Sequence, residues 1–368
     1  MMSLEIVLVI LLLAVLALVA VTWSHTEPFT PSDVPTSYEI PIRVAVKDQE
    51  RVGMCIPFSI INAYEMMTGV HLSEEFLYYT ARFDRTMGFI YGRYSRAPPD
   101  ARLKILNQLS EWNFDVGLDL ENGLEALALY GSPPADIYPF DGQLSNTTPP
   151  PEAFAQAPRH RICNYVRLDK GRPSDPSRLL TEIKYLVANN IPVITELVMF
   201  PRVSLTSNTT GALPLPTPGD RTGNSHSVVI VGYDDALTID LNPFPKSVGA
   251  FRVMNSWGTG WGDGGYGYIP YRYLSTLLAP EMISQKDLEF QFRDFGAYTP
   301  LMFNIGVIVD DTSRQRIRDL GLTVPPCRSA TPTPPFVSTY DFFLREFQTH
   351  GIPYDPFPSS PTNPFSTS

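Results

Sequence analysis

The chain is short of cysteine, short of basic charge and devoid of paired metal-ligand motifs, and each shortage removes a class of function. Cys55, Cys163 and Cys327 are the 3 cysteines among 368 residues, too few and too scattered for a disulfide framework or a zinc ribbon. No Cys-x-x-Cys occurs, and the 5 histidines never fall at His-x-x-x-His spacing, so neither a protein-bound metal nor a cofactor is expected. The 28 Lys and Arg are outnumbered by 38 Asp and Glu, for a formal charge of −10. A phosphate-backbone partner needs a basic face, which argues against nucleic acid.

What is present defines a globular chain with long loops. Hydrophobic residues make up 43% and charged residues 18%, enough for a sizeable core. The length exceeds a usual single domain, so one large domain with extensions or two subdomains is expected. The 36 prolines point to much loop and an unstructured tail.

Ile6 to Val21 is an unbroken apolar run, slightly short of a membrane span unless Leu4 and Trp23 extend it into the interface. The residues before it carry no Lys or Arg, and no Ala-x-Ala cleavage site follows. Residues 1–25 therefore read as an uncleaved single-pass membrane anchor. The alternative is a signal peptide whose removal leaves a secreted or lumenal protein. Residues 26–38 read as a linker.

Two separated stretches carry candidate chemistry. The first is Gln49-Glu50-Arg51-Val52-Gly53-Met54-Cys55-Ile56-Pro57-Phe58. Beyond Cys55, apolar residues point nearly all round, which describes a helix buried on most sides. Pro57 is tolerated only in a first turn, so Cys55 falls at the helix N-terminus, where the unpaired N–H groups favour a thiolate over a thiol. Taken alone, a cysteine in this place is more often a small core residue. The second stretch, Gly223 to Ile269, reads as two buried strands with the polar groups His226 and Asn255 at their ends. Taken alone, each of these has a bland reading as well, a satisfied core histidine and a turn residue.

Between them the spacing predicts helices from Ser73 through Phe83, over Ala101 to Trp112, Leu120 to Tyr130 and about 176–189. Strands are expected at Asn164 to Leu168 and Pro192 to Val198, and a long Pro/Thr/Gly loop over Pro201 to Gly223. The first half is thus mostly helical and the second mostly strands.

At this point the ordered motifs resemble the papain-like cysteine peptidases, over about Val34 to Leu274. A Gln lies six residues before the Cys, as Gln49 before Cys55, with Gly53 between them. His226-Ser227-Val228-Val229-Ile230-Val231-Gly232-Tyr233 is similar to the family's His-bearing strand. Asn255-Ser256-Trp257-Gly258 matches its Asn-Ser-Trp-Gly, and Tyr130-Gly131 and Tyr138-Pro139-Phe140 look like two further landmarks. The resemblance implies an α+β, papain-like two-subdomain fold: a helical left subdomain, a β-barrel-like right subdomain and a catalytic cleft between them. To this the chain would add its N-terminal transmembrane segment.

The resemblance also implies roles. Cys55 would be the nucleophile, His226 its base and later acid, and Asn255 the group that orients the imidazole. Gln49 would help form the oxyanion hole with the Cys55 backbone N–H. Trp257 would shield the His226–Asn255 bond, with Ser256 and Gly53 as supporting residues. The expected activity is hydrolysis of polypeptides by a membrane-tethered cysteine-type endopeptidase, expected to be a monomer. A catalytically inactive homologue that binds peptides in its cleft is the alternative.

Some positions depart from the family pattern. The residue three before the nucleophile, usually Cys, is Val52, and its usual partner position holds Asp115, so that disulfide is absent. This suits a reducing compartment or a fold that does without the bridge. The Gly-Gly that lines the second specificity pocket appears as Gly117-Leu118, and no inhibitory propeptide fits between the apolar run and Val34. Gly260-x-Gly262-x-x-Gly265 fits a dinucleotide fingerprint but runs into an extended segment, so its glycines serve a turn. The peptidase domain is placed at 39–279, a C-terminal extension packed on it at 280–328, and a Pro/Ser/Thr-rich mobile tail at 329–368 with a short helix near Asp341 to Gln348. Asn146-Thr147-Thr148 and Asn208-Thr209-Thr210 are glycosylation sequons, meaningful only outside the cytosol.

Overall fold

Apolar packing in this chain is divided between a helical layer and one antiparallel sheet, with a continuous core in the seam between them. The computed structural model describes residues 34–41, 44–110, 117–141, 149–170, 175–283, 300–329 and 337–353. The apolar run Ile6 to Val21 and the sequon at Asn146 lie outside these. Among the described residues no helix is long and apolar enough to cross a membrane.

The helical layer is built first in the chain. Helix α1 (Cys55–Thr68) starts at the nucleophile candidate, with Pro57 in its first turn, and ends at Gly69 in the left-handed conformation with φ 75. Its residues from Ile56 to Tyr64 are all buried, as its all-round hydrophobicity predicts. Helix α2 (Glu74–Arg96) is capped by Ser73, whose side chain accepts from the Phe76 N–H, and runs well past the expected end at Phe83. Helices α3 (Pro99–Ser110) and α4 (Leu120–Leu129) follow. Gly123 allows α4 to close on α1: a Cβ there would lie 2.5 Å from Ile60 Cδ1 and 2.9 Å from Ile56 Cγ2. A short helix α5 (Pro151–Gln156) leads out of the layer.

The sheet uses strands β1 (Ser37–Glu39), β2 (Asn164–Arg167), β3 (Val193–Val198), β4 (Ser225–Ile239), β5 (Ser247–Met254), β6 (Tyr266–Pro270) and β7 (Met302–Val309). Their order is β2-β7-β3-β4-β5-β6, with β1 paired to β4, and every pairing is antiparallel. This is the papain-like α+β fold. The expected barrel-like half is an open path in its pairings, with β2 and β6 at its ends. Helix α1 packs on β4, and α4 packs on β2 and β7. Strand alternation then divides the sheet's side chains. Ile194, Val229, Val231 and Met254 face the helices and join Ile56, Ile60 and Leu124 in one cluster. Val193, Leu197, Val228 and Ile230 face the other way, where helix α6 (Pro176–Ala188) lies against β4 and β3.

Three sequence expectations change. The stretch Pro201 to Gly223 is not all loop: helix α7 (Pro201–Thr210) begins with Pro at its first position and stops at Gly211 with φ 69. The region after 280 is more than an appendage, because β7 inserts between β2 and β3 and helix α8 (Asp311–Asp319) follows it. The cysteines are too few and too scattered to suggest a disulfide framework, yet Cys163 and Cys327 form one disulfide across a separation of 164 residues. Around that bridge the Asn164 Nδ2 donates to the Pro326 carbonyl at 2.7 Å and the Arg328 N–H to the Cys163 carbonyl at 2.9 Å. Helix α9 (Val337–Thr349), somewhat longer than the expected 341–348 helix, packs on α2 and α3. Its Phe343 and Phe347 are buried against Tyr79, Tyr94 and Leu106.

Candidate active site

His226 is the second residue of β4, paired across the ladder with Leu197. Its ring is 6% exposed and its Nε2 lies 2.7 Å from Asn255 Oδ1. The same Oδ1 accepts the Ser256 backbone N–H at 2.8 Å. A carbonyl oxygen only accepts, so the proton in the first bond belongs to Nε2. In the neutral ring, Nδ1 is then the basic nitrogen. Burial pushes the His226 pKa down to about 4, partly opposed by the Asn255 bond, so the imidazole is neutral unless an anion sits beside it. Trp257 covers the pair, its ring centroid 4.3 Å from that of His226 at an interplanar angle of 30°. Trp261 meets Trp257 edge-on at 5.5 Å.

Gln49 belongs to the same unit although it lies far away in sequence. Its backbone N–H donates to the Ser256 carbonyl at 2.8 Å, and its Oε1 accepts the Ser256 hydroxyl at 2.6 Å. Its Nε2 donates to the Val52 carbonyl at 2.8 Å. One amide N–H remains for an incoming oxygen. The Gly258 N–H extends the zipper by donating to the Lys47 carbonyl at 3.0 Å. Gly258 needs to be glycine twice over: its φ is 71, and a Cβ would approach Asp48 Oδ2 to 2.8 Å. Asn255, Ser256 and Gln49 are thus tied into one rigid wall.

The opposite wall carries Cys55, half-buried and not disulfide-bonded. As the first residue of α1 it sits at the positive end of the helix dipole. It packs against the seam cluster that also holds Val229 and Met254, and its helix packs on β4, the strand that carries His226. Gly117, with φ 69, precedes Leu118, which packs beside Val52, Met54 and Phe58. Of the two pocket residues expected from the sequence, Leu118 thus packs beside the residues on either side of Cys55. Gly53 lies in the same loop between Val52 and Met54. The glycines at 260–265 form a turn into β6, as expected.

One charged residue of the site region was not singled out from the sequence. Glu196 of β3 is 3% exposed, and its Oε1 accepts the Leu120 N–H at 2.7 Å and the Asn304 Nδ2 at 2.8 Å. The available signal was a carboxylate within an otherwise apolar strand, Val193-Ile194-Thr195-Glu196-Leu197-Val198.

The fold is papain-like, and the comparisons with known proteins extend that likeness over part of the chain. The papain family cysteine protease model matches residues 144–276, a span that contains His226 and Asn255 and leaves Gln49 and Cys55 outside. The chain is 25% identical to an uncharacterized peptidase C1-like protein of Acanthamoeba polyphaga mimivirus over 162 residues, 44% of this chain and 49% of the viral one. It therefore spans about half the length of that relative. A cysteine protease of Blomia tropicalis is 41% identical over 44 residues, 12% of this chain and 10% of its own. Among solved structures, xylellain, a cysteine protease from Xylella fastidiosa, superposes with a TM-score of 0.54 at 20% identity. That likeness covers 77% of this chain and 89% of the other, and at this identity it bears on fold alone.

Proposed function

We propose that this chain is a cysteine-type endopeptidase. The observation that carries the reading is the His226–Asn255 pair at 2.7 Å under Trp257, on a strand packed against the helix that begins at Cys55. In the proposed cycle the Cys55 sulfur attacks the scissile carbonyl carbon, and the carbonyl π electrons move onto oxygen. The Gln49 amide and the Cys55 backbone N–H receive that oxyanion, each donor typically worth about 2.7 to 4 kcal/mol. His226 holds the thiol proton at Nδ1 and passes it to the departing amine as the C–N bond breaks, leaving a thioester. Water, deprotonated by the same nitrogen, then releases the acid and restores the thiol. Asn255 keeps Nδ1 aimed throughout by accepting from Nε2.

The test is hydrolysis of an unfolded protein by the wild-type chain and by Cys55→Ala. Cleavage that Cys55→Ala abolishes supports the reading, whereas cleavage unchanged in the variant sinks it. An inactive wild type that still captures peptides would point instead to the non-catalytic, peptide-binding alternative. A membrane tether through Ile6 to Val21 is part of the proposal, motivated by the length of that run. Full-length protein should stay with the bilayer under alkaline extraction, and its release into the supernatant would refute the tether.

A further inference from the structure

Among the described residues Glu196 is a buried acid with no ion-pair partner, and β3 sets it beside the strand that carries His226. Its cross-strand neighbour is Ser227, the residue after His226. The N–H it accepts belongs to Leu120, two residues beyond Leu118, which packs against Met54 next to Cys55. Strand alternation turns both Glu196 and Ser227 toward the helical layer, with Ile194 and Val229.

The polar accounting there is incomplete. Both hydrogen bonds that the described residues give the carboxylate fall on Oε1. Ser227 is fully buried, and its hydroxyl has no partner. The charged groups around Glu196 are Asp119 at the α4 N-terminus and Arg167 on β2. Arg167 is committed elsewhere, to Asp169 at 2.9 and 3.0 Å and to Glu121 at 3.6 Å. Burial with the Asp119 charge nearby raises the Glu196 pKa to about 7, although the Asn304 and Leu120 bonds and the more distant Arg167 charge oppose the rise. A buried anion with no direct ion-pair partner costs stability. A cationic group brought in by a ligand supplies the missing charge.

We propose that Glu196 selects substrates that place a Lys or Arg side chain within a residue or two of the scissile bond, with Ser227 Oγ as a second acceptor for the same cation. The proposal rests on the peptidase reading above. Oε2 and the Ser227 hydroxyl give a guanidinium or ammonium two acceptors on one side. Asn304 and the Leu120 N–H hold the carboxylate from the other. The selection is a property of the ionised acid, so it weakens as pH falls through about 7.

The experiment uses sets of internally quenched peptides, identical except for Arg or Leu at one position at a time. Wild type and Glu196→Gln are compared from pH 6 to 8, and each rate is divided by the amount of Cys55 that an epoxide alkylates. At pH 8 one position near the scissile bond should favour Arg over Leu at least tenfold in kcat/KM. That ratio should fall toward unity in Glu196→Gln, and in wild type as pH drops to 6. The wild-type pH series gives the answer even if the variant does not fold. A ratio that the variant leaves unchanged, one that is flat in pH, or a preference for Leu at every position overturns the selectivity. Absence of both alkylation and cleavage overturns the peptidase reading beneath it, and the two failures are distinguishable.

Discussion

Removing the Cys163–Cys327 bridge, in the double variant Cys163→Ser with Cys327→Ser, should destabilise the chain by about 5 kcal/mol. The number follows from the separation of 164 residues: the chain-entropy relation gives roughly 17 cal/mol/K for a loop of that length, or about 5 kcal/mol at 25 °C. The long loop makes this a large effect, and it contains every strand from β2 to β7. Unfolding with the bridge intact therefore leaves both ends of the sheet's strand set covalently joined. Locally the bridge fastens the 326–328 segment, whose other ties include the Asn164–Pro326, Arg328–Cys163 and Arg161–Arg328 hydrogen bonds, the Arg328–Glu125 ion pair at 2.9 Å and the Arg328 guanidinium over the Tyr165 ring. These are partly exposed contacts worth about 1 kcal/mol each, so they do not replace the covalent constraint. Urea unfolding followed by tryptophan fluorescence, with wild type measured with and without reductant, reads the difference. A midpoint that neither reductant nor the double variant moves would refute the reasoning.

Two further outcomes follow from the site. Asn255→Ala removes one orienting hydrogen bond and should lower kcat by roughly tenfold, whereas His226→Ala removes the acid–base group and should lower it by about 10²- to 10⁴-fold; equal losses in steady-state kinetics would argue against an orienting role for Asn255. For Glu196 the pKa rises from 4.5 to about 7 on folding, so the folded chain binds the proton more tightly than the unfolded chain. Its contribution to stability is full below 4.5 and is lost as pH rises through 7, an effect of about 3 kcal/mol. The stability difference between wild type and Glu196→Gln should therefore shift by about that amount between pH 4.5 and 8. A difference constant across this window, measured by denaturant titration, would contradict the buried-acid account.

Much of the site was legible because its residues stand in short ordered motifs. Pro57 fixed the start of α1, and therefore the place of Cys55, by local sterics alone. Asn255-Ser256-Trp257-Gly258 carried the orienting amide, the tie to Gln49 and the required glycine within four consecutive residues. What escaped was non-local or disguised. Nothing near Cys163 or Cys327 announces a partner so far along the chain, and β7 takes its central place in the sheet only through pairing with β2 and β3. Helix α7 was hidden by its Ser and Thr content, although Pro201 and Gly211 stood at its two ends as usable signals. Glu196 read as one polar residue in a strand, because its partners, Leu120 and Asn304, come from opposite sides of the chain.

The central claim is that Cys55 is a nucleophile made reactive by His226. It is tested most directly by the rate at which an epoxide alkylates Cys55 near pH 7, followed by intact-protein mass spectrometry in wild type and His226→Ala. A single adduct on Cys55 that forms quickly in wild type and at least tenfold more slowly in His226→Ala is the expected result. No adduct on Cys55, or equal rates in the two proteins, would contradict it.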